Sequence, residues 1–215
     1  MPVILITNPK GGVGKSTAAT NLAGYFAYRG HATMLGDLDR QQSSLAWLGI
    51  RPPTLPRIES WDRSDGKVVR APKGVTHVVL DTPAGIHGHD LKDALKAADR
   101  VIVPLLPSLF DIYATQMFLA KLAERSIMKE GGRVGILGMR VDVRTRAADQ
   151  LQRFVDGLGL PVLGTIRDTQ NYVQLAAHGL TLWDVAPQRV ARDLEQWDPL
   201  LRWVESEPAG EPTSA

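Results

Sequence analysis

Along the chain, short runs of consecutive apolar, often β-branched residues alternate with longer stretches in which apolar positions return every three or four residues. Consecutive apolar positions suit strands covered on both faces, and the helical period marks the segments that cover them. Strands are predicted over residues 3–7, 32–36, 76–81, 100–104, 133–139 and 162–166, with helices over 16–29, 90–98, 111–128, 146–157, 171–178 and 190–204. Gly30, Gly157 and Gly179 stand where helices should end, and Asp90 and Asp111 stand at N-cap positions. Residues 51–73 contain Pro52, Pro53, Pro56 and Pro72 without a sustained period, so they read as loop with a weak strand at 57–59. The alternation predicts an α/β fold with three layers, α/β/α, around a mostly parallel central sheet. One domain is expected over residues 1–204. Residues 205–215, rich in Glu, Pro, Ser and Gly, have no apolar face to bury and read as a disordered tail.

Composition narrows the chemistry. With 215 residues, 44% of them apolar, the chain can bury a substantial core. The 25 Lys and Arg nearly balance the 23 Asp and Glu, so a grip on nucleic acid through global charge is not expected, whereas a local basic patch is possible. Cysteine is absent from the sequence, which removes disulfides, thiolate metal sites and cysteine nucleophiles. Residues 1–7 lead into a glycine-rich loop without a basic leader or cleavage site, and no apolar stretch is long enough to span a bilayer. The expected location is cytoplasmic.

The glycine-rich loop holds the most specific chemistry. Asn8-Pro9-Lys10-Gly11-Gly12-Val13-Gly14-Lys15-Ser16-Thr17 follows a predicted strand and opens a predicted helix. Gly11, Gly12 and Gly14 allow backbone amides to converge on phosphate oxygens, and the helix start adds partial positive charge. Lys15 supplies a point charge for the outer phosphates, and Ser16 offers a hydroxyl to a magnesium ion. The strict phosphate-loop pattern asks for glycine where this chain has Pro9. The run Lys-Gly-Gly-Val-Gly-Lys-Ser-Thr instead matches the deviant form marked by the extra lysine, Lys10, and on these residues the chain resembles the ParA/MinD family of ATPases.

That resemblance implies a P-loop NTPase fold, ATP and Mg2+ as cofactors, and nucleotide contacts from Lys10 through Thr17, Val13 included. It implies that Lys10 reaches across a face-to-face homodimer into the partner's phosphates. Further on, Gly36-Asp37-Leu38-Asp39-Arg40-Gln41-Gln42-Ser43 resembles the family's Asp-x-Asp-Pro-Gln element, with Arg40 in place of proline. By resemblance Asp39 orients the attacking water, so Lys10, Lys15 and Asp39 form the catalytic set. Asp37 then supports the magnesium shell through water, beside Ser16 and Asp81. Asp81 ends the apolar run Val78-Val79-Leu80 and precedes a switch segment, residues 82–85. A Pro107-Ser108 turn leads into a long helix, where Ser108 and Asp111 have the spacing of a helix-start box. The base is expected near Met139-Arg140 and Ile166-Arg167-Asp168, with Arg140 and Asp168 as contacts, although Met139 stands where the family often has asparagine.

Other signals are weaker. His87-Gly88-His89 is too sparse a set for a dedicated zinc site. Trp47, Trp61, Trp183, Trp197 and Trp203 read as core. Arg140, Arg144 and Arg146 form one basic group, and Arg189, Arg192 and Arg202 a second, which is the candidate DNA surface.

The resemblance therefore implies an ATP-dependent dimer that binds nucleoid DNA without reading sequence and positions a plasmid, chromosome region or protein cargo. A ParB-like adaptor would stimulate hydrolysis and reset it, and no membrane partner is expected. Three rivals stand beside this reading: a MinD-like membrane-cycling ATPase, a metabolic ligase or synthetase on the same loop, and a nucleotide-bound scaffold with negligible turnover.

Overall fold

A computed structural model describes residues 1–61, 72–124 and 133–206. Seven strands form one sheet in which every pairing is parallel: β1 (Val3–Ile6), β2 (Thr33–Asp37), β3 (Ile58–Trp61), β4 (His77–Asp81), β5 (Arg100–Leu105), β6 (Val134–Met139) and β7 (Val162–Ile166). Their spatial order is β3-β2-β4-β1-β5-β6-β7. The expected three-layer architecture is observed. Its source is visible in β1, where Val3 and Leu5 join the core on one face of the sheet while Ile4 and Ile6 join the core on the other. In β4, Val78 and Leu80 divide from Val79 in the same way.

The helices are α1 (Lys15–Tyr28), α2 (Ser43–Gly49), α3 (Gly88–Ala97), α4 (Leu109–Glu124), α5 (Arg146–Asp156), α6 (Gln170–Ala176), α7 (Pro187–Glu195) and α8 (Asp198–Glu205). One core gathers α1, α2, α7 and α8 against the sheet, and the other gathers α3, α4 and α5. α1 is buried over most of its length, because the 3-10 turn Leu182–Asp184 packs on the side away from the sheet. Gly24 permits this approach, since a Cβ there would lie 2.4 Å from Thr181 Cγ2.

Several expectations are corrected. α2 falls in a stretch assigned no helix, for it spans only seven residues and buries only Ser44 and Trp47, too little for a period to show. The helix expected over 190–204 is two helices, α7 and α8. Pro199 lacks an N–H and its ring would collide with the carbonyl of Glu195 in a continuous helix, so the chain breaks at Gln196 and Trp197. Asp90 and Asp111 lie inside their helices' first turns; His87 is the cap residue of α3, and Ser108 Oγ accepts the N–H of Asp111 at 3.5 Å. Gly157 caps the end of α5 as expected, with right-handed backbone, and Gly30 and Gly179 have positive φ just past their helices. The weak strand at 57–59 is β3, an edge of the sheet. Glu205 ends α8, and the remainder of the expected tail, from 207 on, lies outside the described residues, as do positions 125–128 of the helix expected over 111–128.

The tryptophans pack as expected: Trp197 is fully buried and donates Nε1–H to Tyr172 Oη at 2.9 Å, Trp47 is buried, and Trp61, Trp183 and Trp203 pack partly buried against the two cores.

A buried ion pair fastens the connection after α2 to the C-terminal layer. Arg51 donates to both oxygens of Asp184, at 2.8 and 2.9 Å, and to the carbonyl of Gly179 at 3.1 Å, with both charged side chains almost wholly buried. Removing one member leaves a buried charge without its counter-ion. Asp184→Ala is expected to lower the unfolding free energy by about 3 kcal/mol or more, read as a lower urea midpoint at unchanged slope. A loss under about 1 kcal/mol, the scale of an exposed pair, would show that this contact does not hold the layer.

Candidate functional site

All strands run the same way, so the loops after β1, β2, β4, β6 and β7 emerge on one edge, the side on which open parallel sheets bind ligands. The segment after β1 is anchored from below. Asn8, fully buried, donates Nδ2–H to the carbonyl of Pro104 at 2.8 Å and to Thr115 Oγ1 of α4 at 3.0 Å, while its Oδ1 accepts the N–H of Lys10 at 2.8 Å. Across the loop, Gly85 N–H donates to the carbonyl of Pro9 at 2.9 Å, which ties the segment after β4 to the glycine-rich loop.

Gly12 and Gly14 have φ of +73° and +89°. Gly14 is doubly constrained: its backbone is left-handed, and a Cβ would lie 2.6 Å from Met139 Cε. Met139 therefore packs on the phosphate loop itself. Lys15, the first residue of α1, is 7% exposed and donates Nζ–H to the carbonyl of Lys10 at 2.7 Å. Burial lowers the pKa of its ammonium, against the opposing pull of the Asp81 and Asp39 carboxylates. Lys10 is half-buried. Its backbone is clamped on both sides, by Asn8 and by Lys15, but its ammonium has no hydrogen bond or ion pair among the described residues.

The acids divide by role. Asp37, 4% exposed, accepts the N–H of Asp39 on Oδ1 at 2.9 Å and the N–H of Ser44 on Oδ2 at 2.8 Å. It thereby caps α2, whose own N-cap, Gln42, is left-handed and makes no side-chain cap. Burial raises the Asp37 pKa, and these backbone donors oppose the rise. Asp39 is half-buried and accepts the N–H of Gln41 on Oδ1 at 3.0 Å. Asp81 is 2% exposed, and burial pushes its pKa up to about 6 against the favourable influence of the nearby Ser16 and Ser44 hydroxyls. Its Oδ2 accepts from Ser44 Oγ at 2.5 Å. Its Oδ1 is buried without a hydrogen-bond partner, as is Thr7 Oγ1 at the end of β1.

A magnesium ion would suit this donor set. Asp81 Oδ1, which has no hydrogen-bond partner, and the nearby Ser16 hydroxyl at the head of α1 offer hard oxygen ligands for such an ion.

Toward the other end of the edge, the turns after β6 and β7 meet α7 around a cleft of about 540 Å3, lined by Arg140, Arg144, Arg167, Asp168, Arg192 and Gln196 among others. Arg140 is exposed and left-handed, with φ of +52°. Arg167 is held by the fully buried Asp193, whose other oxygen accepts from Asn171 Nδ2 at 2.6 Å. Arg144 pairs with Asp142 through two bonds of 3.0 Å, and this pairing holds the Asp142 carboxyl at about 2.

The structure thus brings Lys10, Lys15, Asp37, Asp39, Asp81 and the head of α1 to one region, and Arg140 and Asp168 to a second on the same edge. Arg192 lines that second cleft, while Arg189 and Arg202 are exposed on α7 and α8. His87 and His89 are exposed, His87 Nδ1 lies 2.8 Å from the carbonyl of Gly85, and the described residues contain no cluster of three metal-ligating side chains. Sequence reasoning missed Asn8 as an anchor and Ser44 as the residue touching both buried acids. Asn8 opens the glycine-rich loop and Ser44 follows the Asp37–Ser43 element, but only long-range packing shows what either residue holds.

Against known proteins, residues 4–182 match the model described as the CobQ/CobB/MinD/ParA nucleotide binding domain. The chain is 30% identical over 191 residues to the maintenance of carboxysome distribution protein A of Gloeobacter kilaueensis, across 84% of this chain and 83% of that protein. It is 30% identical over 183 residues to the chromosome-partitioning ATPase Soj of Thermus thermophilus, across 69% and 73%. The fold is similar to that in the MinC:MinD cell division protein complex of Aquifex aeolicus, with a TM-score of 0.74 at 19% identity over 98% of this chain and 99% of that one. A family match of this extent, with two relatives at 30% identity, shows that the chain belongs to the CobQ/CobB/MinD/ParA family of nucleotide-binding ATPases.

Proposed function

We propose that this protein is a ParA-like positioning ATPase, in which ATP joins two copies into a dimer that binds DNA and hydrolysis releases them. The observation that supports this most directly is Lys10, whose backbone is fixed at both ends while its ammonium finds no partner within the described residues. A cation so mounted beside a phosphate loop is suited to the triphosphate of a second copy.

Within one protomer, the amides of residues 11–17 would wrap the phosphates and Lys15 would neutralise the outer ones. Ser16 and Asp81 would hold Mg2+, directly or through water, with Asp37 steadying the adjoining turn; the ion neutralises phosphate charge. Asp39 would orient a water whose oxygen attacks the γ-phosphorus as the bond to the β,γ-bridging oxygen breaks, giving ADP and phosphate. A carboxylate is a weak base for this step, so positioning and charge must supply the acceleration. Turnover is then slow until an adaptor protein stimulates it. Arg140 and Asp168 would border the base. Arg189, Arg192 and Arg202 would meet DNA phosphates without reading bases, and Arg192 also lines the base-side cleft. Relatives named for carboxysome distribution and chromosome partitioning support a cargo-positioning role on the nucleoid.

Two experiments test this reading. Lys15→Ala should weaken ATP binding by about 2 kcal/mol or more, about 30-fold, in calorimetry. Lys10→Ala should keep nucleotide affinity but stay monomeric with a non-hydrolysable ATP analogue in sizing experiments. A normal ATP-dependent dimer from that variant would refute the cross-interface role.

DNA binding should require ATP and fall about 1000-fold between 50 and 200 mM salt if about six arginines, three from each copy, neutralise phosphates. Arg192→Ala, which removes two of them per dimer, should flatten the salt slope by about 2. Binding that is indifferent to nucleotide or salt would overturn this part of the proposal.

A further inference from the structure

Ser44 is fully buried at the start of α2, and both of its donors go to the acids of the carboxyl edge. Its N–H reaches Asp37 Oδ2 at 2.8 Å, and its Oγ–H reaches Asp81 Oδ2 at 2.5 Å, 37 residues along the chain. The first bond is accounted for by helix capping. The second is not: a hydroxyl near a helix start is satisfied most simply within its own turn, yet this one is committed to the end of a neighbouring strand.

We propose that Ser44 is a positioning residue for the magnesium site. A carboxylate turns readily about its last side-chain bond, and either oxygen can face a ligand. By taking Oδ2, the Ser44 hydroxyl fixes that rotation and leaves Oδ1, buried and without a protein partner, as the atom presented to the metal or to a water in its shell. The same residue's N–H is bonded to Asp37, which ends β2 in register with Asp81 in β4, so one residue sets the spacing of both acids. Hydrogen-bond partners of this kind behind a ligand commonly govern metal affinity without touching the metal. The inference rests on the reading of this site as one for magnesium and ATP.

The test uses the full chain with a saturating non-hydrolysable ATP analogue and Mn2+ as a spectroscopic substitute for Mg2+, titrated by electron paramagnetic resonance. Ser44→Ala should raise the Mn2+ half-saturation concentration by about 10-fold. Binding of the analogue in EDTA, followed by calorimetry, should not change. Ser44→Thr, which keeps the hydroxyl, should restore the wild-type metal response. An unchanged half-saturation in a Ser44→Ala protein that melts like wild type would overturn the proposal, as would a threonine variant as impaired as the alanine one. If Ser44→Ala fails to fold, Ser44→Cys, which replaces the hydroxyl with a weak S–H donor, should shift the half-saturation in the same direction, and no shift would overturn the proposal. A wild-type chain that fails to bind the analogue at all overturns the underlying ATP reading, an outcome distinct from normal wild-type binding with an unaffected alanine variant.

Discussion

Parallel pairing of β4 with both β1 and β2 sets the geometry on which everything else in this protein depends. Ile6, the last residue of β1, lies opposite Asp81, and Asp81 lies opposite Asp37 at the end of β2. Because side chains alternate along a strand, slipping β4 by one residue would exchange Val79 with Val78 and Leu80 between the two cores and carry Asp81 to the other face. Apolar burial on both faces forbids that slip. The same forces that close the core therefore deliver two carboxylates beside the glycine-rich loop.

What is delivered there is costly to fold. Lys15, Asp37 and Asp81 are all buried, and each has a pKa displaced by burial in the direction that disfavours its charge. Backbone donors offset the cost for Asp37, the carbonyl of Lys10 does so for Lys15, and Ser44 does so for one oxygen of Asp81. Asp81 Oδ1 and Thr7 Oγ1 are left over. Both lie where β1 and β4 end at the carboxyl edge, and that pairing fits a site whose remaining partners belong to a ligand. The loop itself has little latitude, since Gly14 combines a left-handed backbone with direct contact to Met139 on β6. That contact joins the phosphate loop to the strand whose end opens the arginine-lined cleft.

The C-terminal layer rests on buried carboxylates of its own. Asp184 holds Arg51, and Asp193 holds Arg167 and Asn171. Asp193 consequently sets where the Arg167 guanidinium stands at the cleft margin, while Arg140 and Arg192 approach from β6 and α7. Of the arginines grouped in the sequence as a DNA surface, Arg192 thus shares one cavity with Arg140 and Asp168, which were grouped as base contacts.

The phosphate loop was legible from residues 8–17 because its chemistry is local: glycines, lysine and serine act within a few positions of one another, between a strand and a helix. The parallel sheet was legible too, since unbroken apolar runs have few other uses. α2 was not, because its start is capped by Asp37 from outside the helix and its seven residues show no period. The break before Pro199 was written in the chain but masked by an apolar spacing that runs through it. Composition and local pattern determined the fold class and the loop, and the acids came from the resemblance that the loop carried. Tertiary structure alone decided that Ser44 joins those acids, that Asn8 bolts the loop to α4 and that Arg192 meets Arg140, because each of these depends on strand register and packing between residues far apart in the chain.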